Sequence, residues 1–162
     1  MPEPEIGHPG DLESASFACL DRTRSAVLNV LVVVGGGIAA SGWALGRHEP
    51  DAVLPWGTVA TNRASMASLV VVVALSYAIL RVGSGRESLR DPRRRASRFF
   101  RERVLAAVVG ALAVPLGFAH GWLVDSRLNA LAPFWVAALG LGFLALPRGP
   151  ELDDFDEPIP EG

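Results

Sequence analysis

The chain has 162 residues, 50% of them apolar, and its mean hydropathy is +0.32 although one residue in five is charged. All fifteen basic residues are arginine, and the formal net charge is −2. This composition excludes a water-soluble globule, because the apolar residues are concentrated in four stretches that contain no Asp, Glu, Lys or Arg. Little chain remains outside these stretches to form an enzyme active site.

The first segment is an acidic leader over residues 1–24, with five acids against two arginines. Its composition predicts disorder. The single cysteine, Cys19, excludes a disulfide within the chain. Arg22 and Arg24 followed by an apolar run could also be a signal peptide cleaved near residue 42. The continuation of that run through Leu45 favours an uncleaved first span.

Four apolar stretches are long enough to cross a bilayer. A helix rises about 1.5 Å per residue and the hydrocarbon core is about 30 Å thick, so about 17 to 25 residues span it. The sequence therefore predicts an all-α integral membrane protein with four transmembrane helices, arranged as two helical hairpins in one bundle. The predicted spans are 25–45, 64–80, 104–124 and 130–146.

The arginines predict the orientation of these spans. Nine of them lie in the loop 81–103, between the second and third spans, together with three acids. Because cytoplasmic loops retain arginine, this loop and both termini are expected in the cytoplasm of a cell-membrane protein. Twelve arginines then face inside, and three face outside: Arg47, Arg63 and Arg127.

The tryptophans support the same topology independently. Tryptophan favours the membrane interface, since its ring is apolar and its N–H needs a partner. In the predicted topology all four lie on the outer side: Trp43, Trp56, Trp122 and Trp135.

The last segment, residues 147–162, carries six acids against one arginine and is expected to be a disordered cytoplasmic tail. The absence of lysine beside fifteen arginines suggests a GC-rich genome. The acidic tail adds an indication of salt adaptation, because carboxylate-rich surfaces stay soluble in high salt, and we hypothesise a halophilic archaeal source. A protein whose stability does not depend on salt would contradict this hypothesis.

The basic loop is the most distinctive segment and is the predicted contact with anionic headgroups or an acidic protein partner. Nucleic acid is not expected as a partner, since membrane topology explains the charge. The candidate contact residues are Arg93, Arg94, Arg95, Arg98, Phe99, Phe100 and Arg101.

Small residues in the spans predict close helix packing, either within the bundle or across a homo-oligomer interface. Pro115 removes the backbone donor for the carbonyl of Ala111, so a kink is expected there. The candidate packing residues are Gly35, Gly36, Gly37, Gly117, Gly121 and Gly142.

The spans contain no acid, lysine or arginine, which disfavours proton-coupled transport by a monomer. His120 is a weak candidate ligand for haem or a metal, although a histidine hydrogen-bonded near the interface is the simpler expectation. We therefore expect no catalytic residue, cofactor or metal. The preferred function is a non-enzymatic accessory or scaffold protein. The alternatives are a small oligomeric transporter or channel and, more weakly, a haem-bearing electron-transfer subunit that uses His120.

Overall fold

The computed structural model describes residues 9–47, 58–83 and 92–147. Within these ranges the chain is helical apart from short turns. The helices are α1 (Pro9–Leu45), α2 (Thr58–Gly83), α3 (Pro92–Ala111), α4 (Ala113–Leu123) and α5 (Leu128–Ala145). Four stretches of the described residues are long and apolar enough to cross a membrane: Ala18–Leu45, Val59–Arg81, Ser97–Leu123 and Leu128–Ala145. The chain is thus an all-α protein with four transmembrane helices, as predicted from its sequence.

Helix α1 extends well beyond the apolar stretch that predicted it. The sequence predicts a disordered leader through residue 24, whereas the structure has residues 9–24 in helix. Pro9 suits the first helical position, because its missing N–H has no partner there in any helix. From residue 11 to residue 24 the chain has neither Pro nor Gly. Residues 1–8 and the predicted tail from residue 148 lie outside the described part.

The third span is interrupted near its middle. Helix α3 ends at Ala111 and α4 begins at Ala113. The N–H of Leu112 donates to the carbonyl of Val109, three residues back, instead of bonding four residues back. Pro115 has no N–H to offer the Ala111 carbonyl. The predicted interruption is therefore present, and α3 and α4 together form one span.

Successive spans run in opposite directions, so each end of the bundle is formed by parts of all four spans. At one end, a Cβ atom placed on Gly121 would lie 2.6 Å from Leu45 Cδ1 and 2.8 Å from Leu131 Cδ2. At the other end, Val27, Ala107 and Ala145 form one buried cluster. The first contact joins the end of α1, the end of α4 and the start of α5. The second joins the middle of α1, the last quarter of α3 and the end of α5.

We name the two ends by their side chains. The tryptophan end contains Arg47, Arg63, Arg127 and the described tryptophans Trp43, Trp122 and Trp135. The basic end contains the described arginines Arg22, Arg24, Arg81, Arg93, Arg94, Arg95, Arg98, Arg101 and Arg103.

The third span and α5 pack closely because glycines remove the side chain at each contact. A Cβ on Gly110 would lie 2.7 Å from Leu141 Cβ, and one on Gly117 would lie 2.7 Å from Phe134 Cβ. Together with Gly121 beside Leu131, these contacts define an antiparallel register. As the residue number rises along the third span, that of its partner on α5 falls.

The core lies between all four spans and is built from small and branched side chains around Phe134, which is 0% exposed. Its buried members are Val34, Leu69, Ala113, Val114, Phe134 and Ala138. The outward faces are apolar as well: Val32 and Val33 are both 73% exposed. An apolar exterior around a close-packed interior is the pattern expected of helices surrounded by lipid.

The glycine contacts generate a stability prediction. In Gly117→Ala the new methyl group meets Phe134 Cβ, which cannot move without its backbone, so we expect a loss of about 1 to 3 kcal/mol. Gly36→Ala is the matched control, because nothing lies within 4 Å of a Cβ at Gly36. We expect it to be neutral or stabilising by up to about 1 kcal/mol. Unfolding in mixed micelles measures both, and equal effects would contradict the packing.

Candidate interaction site at the basic end

The basic end is where the structure concentrates cationic side chains. Of the arginines in the described residues, nine lie there and three at the tryptophan end. Arg22 and Arg24 come from α1, Arg81 from the end of α2, and the remaining six from residues 93–103 of α3. Antiparallel helices thus bring three segments that are distant in sequence to the same level of the bundle.

The candidate contact residues of α3 differ in whether their side chains are available to a partner. Arg98 Nε lies 2.7 Å from Glu102 Oε1, a pair spaced by one helical turn. Such an exposed pair contributes about 0.3 to 0.5 kcal/mol, yet it neutralises part of the predicted surface. Arg101 is exposed. Arg93, Arg94 and Arg95 lie in the first turn of α3, and their side chains are outside the described part.

Phe99 and Phe100 are half-buried, and each carries an arginine on its ring. The guanidinium of Arg103 lies 5.1 Å from the centroid of Phe99, and that of Arg22 lies 5.4 Å from the centroid of Phe100. The sequence predicts that these phenylalanines dip into lipid. In the structure, they also hold guanidinium groups by cation–π contact.

Arg103 is engaged inside the bundle. Its Nη1 donates to the carbonyl oxygen of Leu144 at 3.1 Å, close to the end of α5. The last carbonyls of a helix have no partner within it and carry partial negative charge, so a cation stabilises them. Arg103 therefore caps α5 and ties it to α3.

Three arginines of the basic end have no hydrogen-bond or ion-pair partner in the described structure. Among the described residues, Arg22, Arg24 and Arg101 are all exposed and make neither a hydrogen bond nor an ion pair. Arg22 makes only its contact with the Phe100 ring. An unpaired guanidinium carries five N–H donors and can bind a carboxylate or a phosphate through two parallel hydrogen bonds, that is, in bidentate geometry. The site can therefore bind anions from outside the protein.

The candidate packing glycines divide into two groups. A Cβ on Gly37 would lie 3.1 Å from Val114 Cγ1, and one on Gly142 would lie 2.5 Å from Leu31 Cδ2. Together with Gly117 and Gly121, these positions meet a neighbouring helix. Gly35 and Gly36 have no atom within 4 Å and face away from the bundle.

Sequence reasoning missed Gly110, although its contact with Leu141 is as close as any other glycine contact between α3 and α5. A signal was present, because Gly110 lies seven residues before Gly117 and therefore on the same face of an α-helix. The kink between them did not remove it from that face.

His120 lies at the tryptophan end, where it is 2% exposed. Its ring centroid is 5.1 Å from that of Phe134, and its Nδ1 has no hydrogen-bond partner in the described part of the chain. The hydrogen bond expected for the imidazole is thus not made by Nδ1. The ring packs against the Phe134 ring instead. The Nε1 of Trp135 is likewise buried without a partner there. No three His, Cys, Asp or Glu side chains within the described ranges are grouped to hold a metal ion.

Comparisons of the chain with protein-family models, curated proteins and solved structures find no match. Its function is therefore inferred from the contacts of the basic end.

The packing of His120 leads to a prediction. If the imidazole acts as a core side chain, His120→Phe changes the free energy of unfolding by less than about 1.5 kcal/mol, whereas His120→Ala leaves a cavity and loses about 2 to 4 kcal/mol. The absorption spectrum of the purified wild-type protein is expected to lack a Soret band. A Soret band that disappears in both variants would instead identify His120 as a haem ligand.

Proposed function

We propose that the chain is a non-enzymatic accessory or scaffold protein of the cell membrane. Its basic end would contact anionic lipid headgroups or an acidic protein partner at the cytoplasmic surface. One observation carries the proposal: Arg22, Arg24 and Arg101 are exposed without a hydrogen-bond or ion-pair partner among the described residues, whereas Arg98 and Arg103 are engaged. A basic segment beside a span gains about 1 kcal/mol per arginine from an anionic membrane surface.

The orientation is part of the proposal. Arginine is retained on the cytoplasmic side of a membrane, so the basic end, the loop 84–91 and both termini would be cytoplasmic. At the opposite end, the guanidinium of Arg47 lies only 3.9 Å from the Trp43 ring centroid. This contact shields the cation and supports an interfacial, outward-facing tryptophan end.

The glycines give little support to a transport path through one subunit. Gly35 and Gly36, at the middle of the first span, face outward rather than into the bundle. At the same depth the interior is filled by Val34, Ala113 and Phe134. Protein-dependent tracer flux into liposomes, tested over a broad ion panel, would nevertheless favour an oligomeric transporter over the scaffold.

The contact with lipid can be tested in vesicles of mixed phosphatidylglycerol and phosphatidylcholine. Energy transfer from the labelled full chain to labelled lipid measures which lipid surrounds it. We expect enrichment of phosphatidylglycerol around the wild type and loss of most of it in the triple variant R22Q/R24Q/R101Q, since the three unpaired charges of the basic end are removed.

The matched control is R47Q/R63Q/R127Q, which removes the same number of charges from the tryptophan end. We expect this variant to keep most of the enrichment. Equal loss in the two triple variants would contradict a specific role of the basic end, and an absence of enrichment in the wild type would overturn the lipid contact.

The orientation predicts the location of the carboxyl terminus. A reporter fused after Gly162 should be active only in a format that works in the cytoplasm, because an even number of spans returns the chain to the side on which it began. The control fusion, placed after Arg47, should be active only in an external format. An externally active reporter after Gly162 would contradict the four-span topology with cytoplasmic termini.

A further inference from the structure

A cavity of about 350 Å³ opens between α1 and α3 at the basic end. Its walls come from one face of each helix, since the residues on α1 and on α3 are spaced by three or four positions. The lining residues are Ala18, Cys19, Arg22, Ser97 and Phe100.

The cavity is closed toward the middle of the membrane. Thr23, one position after Arg22, is 0% exposed and donates its hydroxyl to the carbonyl of Cys19 at 2.7 Å. Further along the two helices, Val27 packs against Ala107 in the buried cluster at this end. The cavity thus lies on the arginine-rich side of this buried cluster.

The depth of the cavity corresponds to the lipid headgroups. Arg22 and Phe100 lie three and four residues before the charge-free stretches that begin at residues 25 and 104, near the ends of the membrane-crossing helices Ala18–Leu45 and Ser97–Leu123. At 1.5 Å per residue, they are about 5 Å beyond the charge-free stretches, which alone are about long enough to span the hydrocarbon core. In a bilayer, a cavity at this level would face phosphate and glycerol groups.

The cavity wall combines a cation with apolar surface. The Arg22 guanidinium is held over the Phe100 ring, and it has no hydrogen-bond or ion-pair partner in the described chain. Cation–π contact engages the face of a guanidinium and leaves its N–H edge available to an anion. Ala18 and the Phe100 ring supply the apolar part of the lining.

The charges around the cavity favour an anion. Arg24 and Arg101, both exposed and unpaired in the described structure, lie within one turn of Arg22 and Phe100 along their helices. Of the acids whose side chains the structure describes, two lie at this end: Asp21, which is exposed on α1, and Glu102, which is paired with Arg98. The positive charge is therefore only partly compensated within the protein.

We propose that this cavity is a binding site for one anionic phospholipid. Arg22 binds the phosphate, and the apolar wall formed by Ala18 and Phe100 receives the glycerol and the first part of an acyl chain. The inference rests on the proposed function, which places anionic lipid at the basic end, and assigns one lipid molecule to one site within it.

Native mass spectrometry of the full chain in detergent, with added phosphatidylglycerol or phosphatidylcholine, tests the site. We expect the wild type to retain one phosphatidylglycerol and about tenfold less phosphatidylcholine. Arg22→Gln should reduce retention of phosphatidylglycerol about tenfold, the effect of losing one hydrogen-bonded charge contact. Ala18→Phe, which fills the cavity without changing charge, should do the same.

The matched control is Arg24→Gln, which removes the same charge two residues away but does not line the cavity. It should change retention by less than about threefold, because a charge outside the site is screened by salt. Unfolding curves that coincide with that of the wild type show that each variant is folded.

Three outcomes would overturn the site: equal losses in Arg22→Gln and Arg24→Gln, equal retention of the two lipids by the wild type, or full retention by Ala18→Phe. If the wild type retains no phosphatidylglycerol here but still enriches it in vesicles, the cavity proposal fails while the proposed function stands. A loss of both signals contradicts the two proposals together.

Discussion

The close approach of the third span to α5 is the contact on which the bundle depends. Lipid gives helices no hydrophobic reason to associate, so dispersion contacts at short range have to supply most of the energy. Gly110, Gly117 and Gly121 present bare backbone to Leu141, Phe134 and Leu131 in turn. The same contacts fix the antiparallel register, because each glycine accepts one bulky side chain. With α5 held in this way, Phe134 can fill the centre of the core.

The lipid surroundings also determine the hydrogen bonds of the polar groups in the spans. Backbone and side-chain polar atoms within the bilayer need partners inside the protein. Ser76 donates to the Ala106 carbonyl across α2 and α3, while Ser65 and Ser68 donate to carbonyls four residues earlier in their own helix. At the basic end, Arg103 donates a hydrogen bond to the Leu144 carbonyl near the end of α5. Arg22, Arg24 and Arg101 of the same end make no hydrogen bond or ion pair in the described structure.

The sequence predicts the features that follow from which residues lie along the chain and in what order. The absence of charge locates the four spans, a missing N–H at Pro115 locates the kink, and the arginine count distinguishes the ends. What it does not predict is rotation about a helix axis. Both faces of α1 are apolar, so nothing in the sequence shows that Gly37 faces the bundle while Gly35 and Gly36 face outward. The extension of α1 to Pro9 has a similar origin, since acidic composition predicts solubility and does not oppose a helix.

The two ends of the bundle differ in packing as well as in charge. At the tryptophan end, Leu45, Gly121 and Leu131 meet closely, and even the polar atoms His120 Nδ1 and Trp135 Nε1 are enclosed. At the basic end, α1 and α3 separate into a cavity and leave a guanidinium on its wall. Bringing α1 and α3 together at this end would bury Arg22 and cost its hydration, unless an anion compensated the charge. The same cation that opposes closure of the cavity would attract an anion to it, and the phosphate of the proposed lipid would compensate the charge.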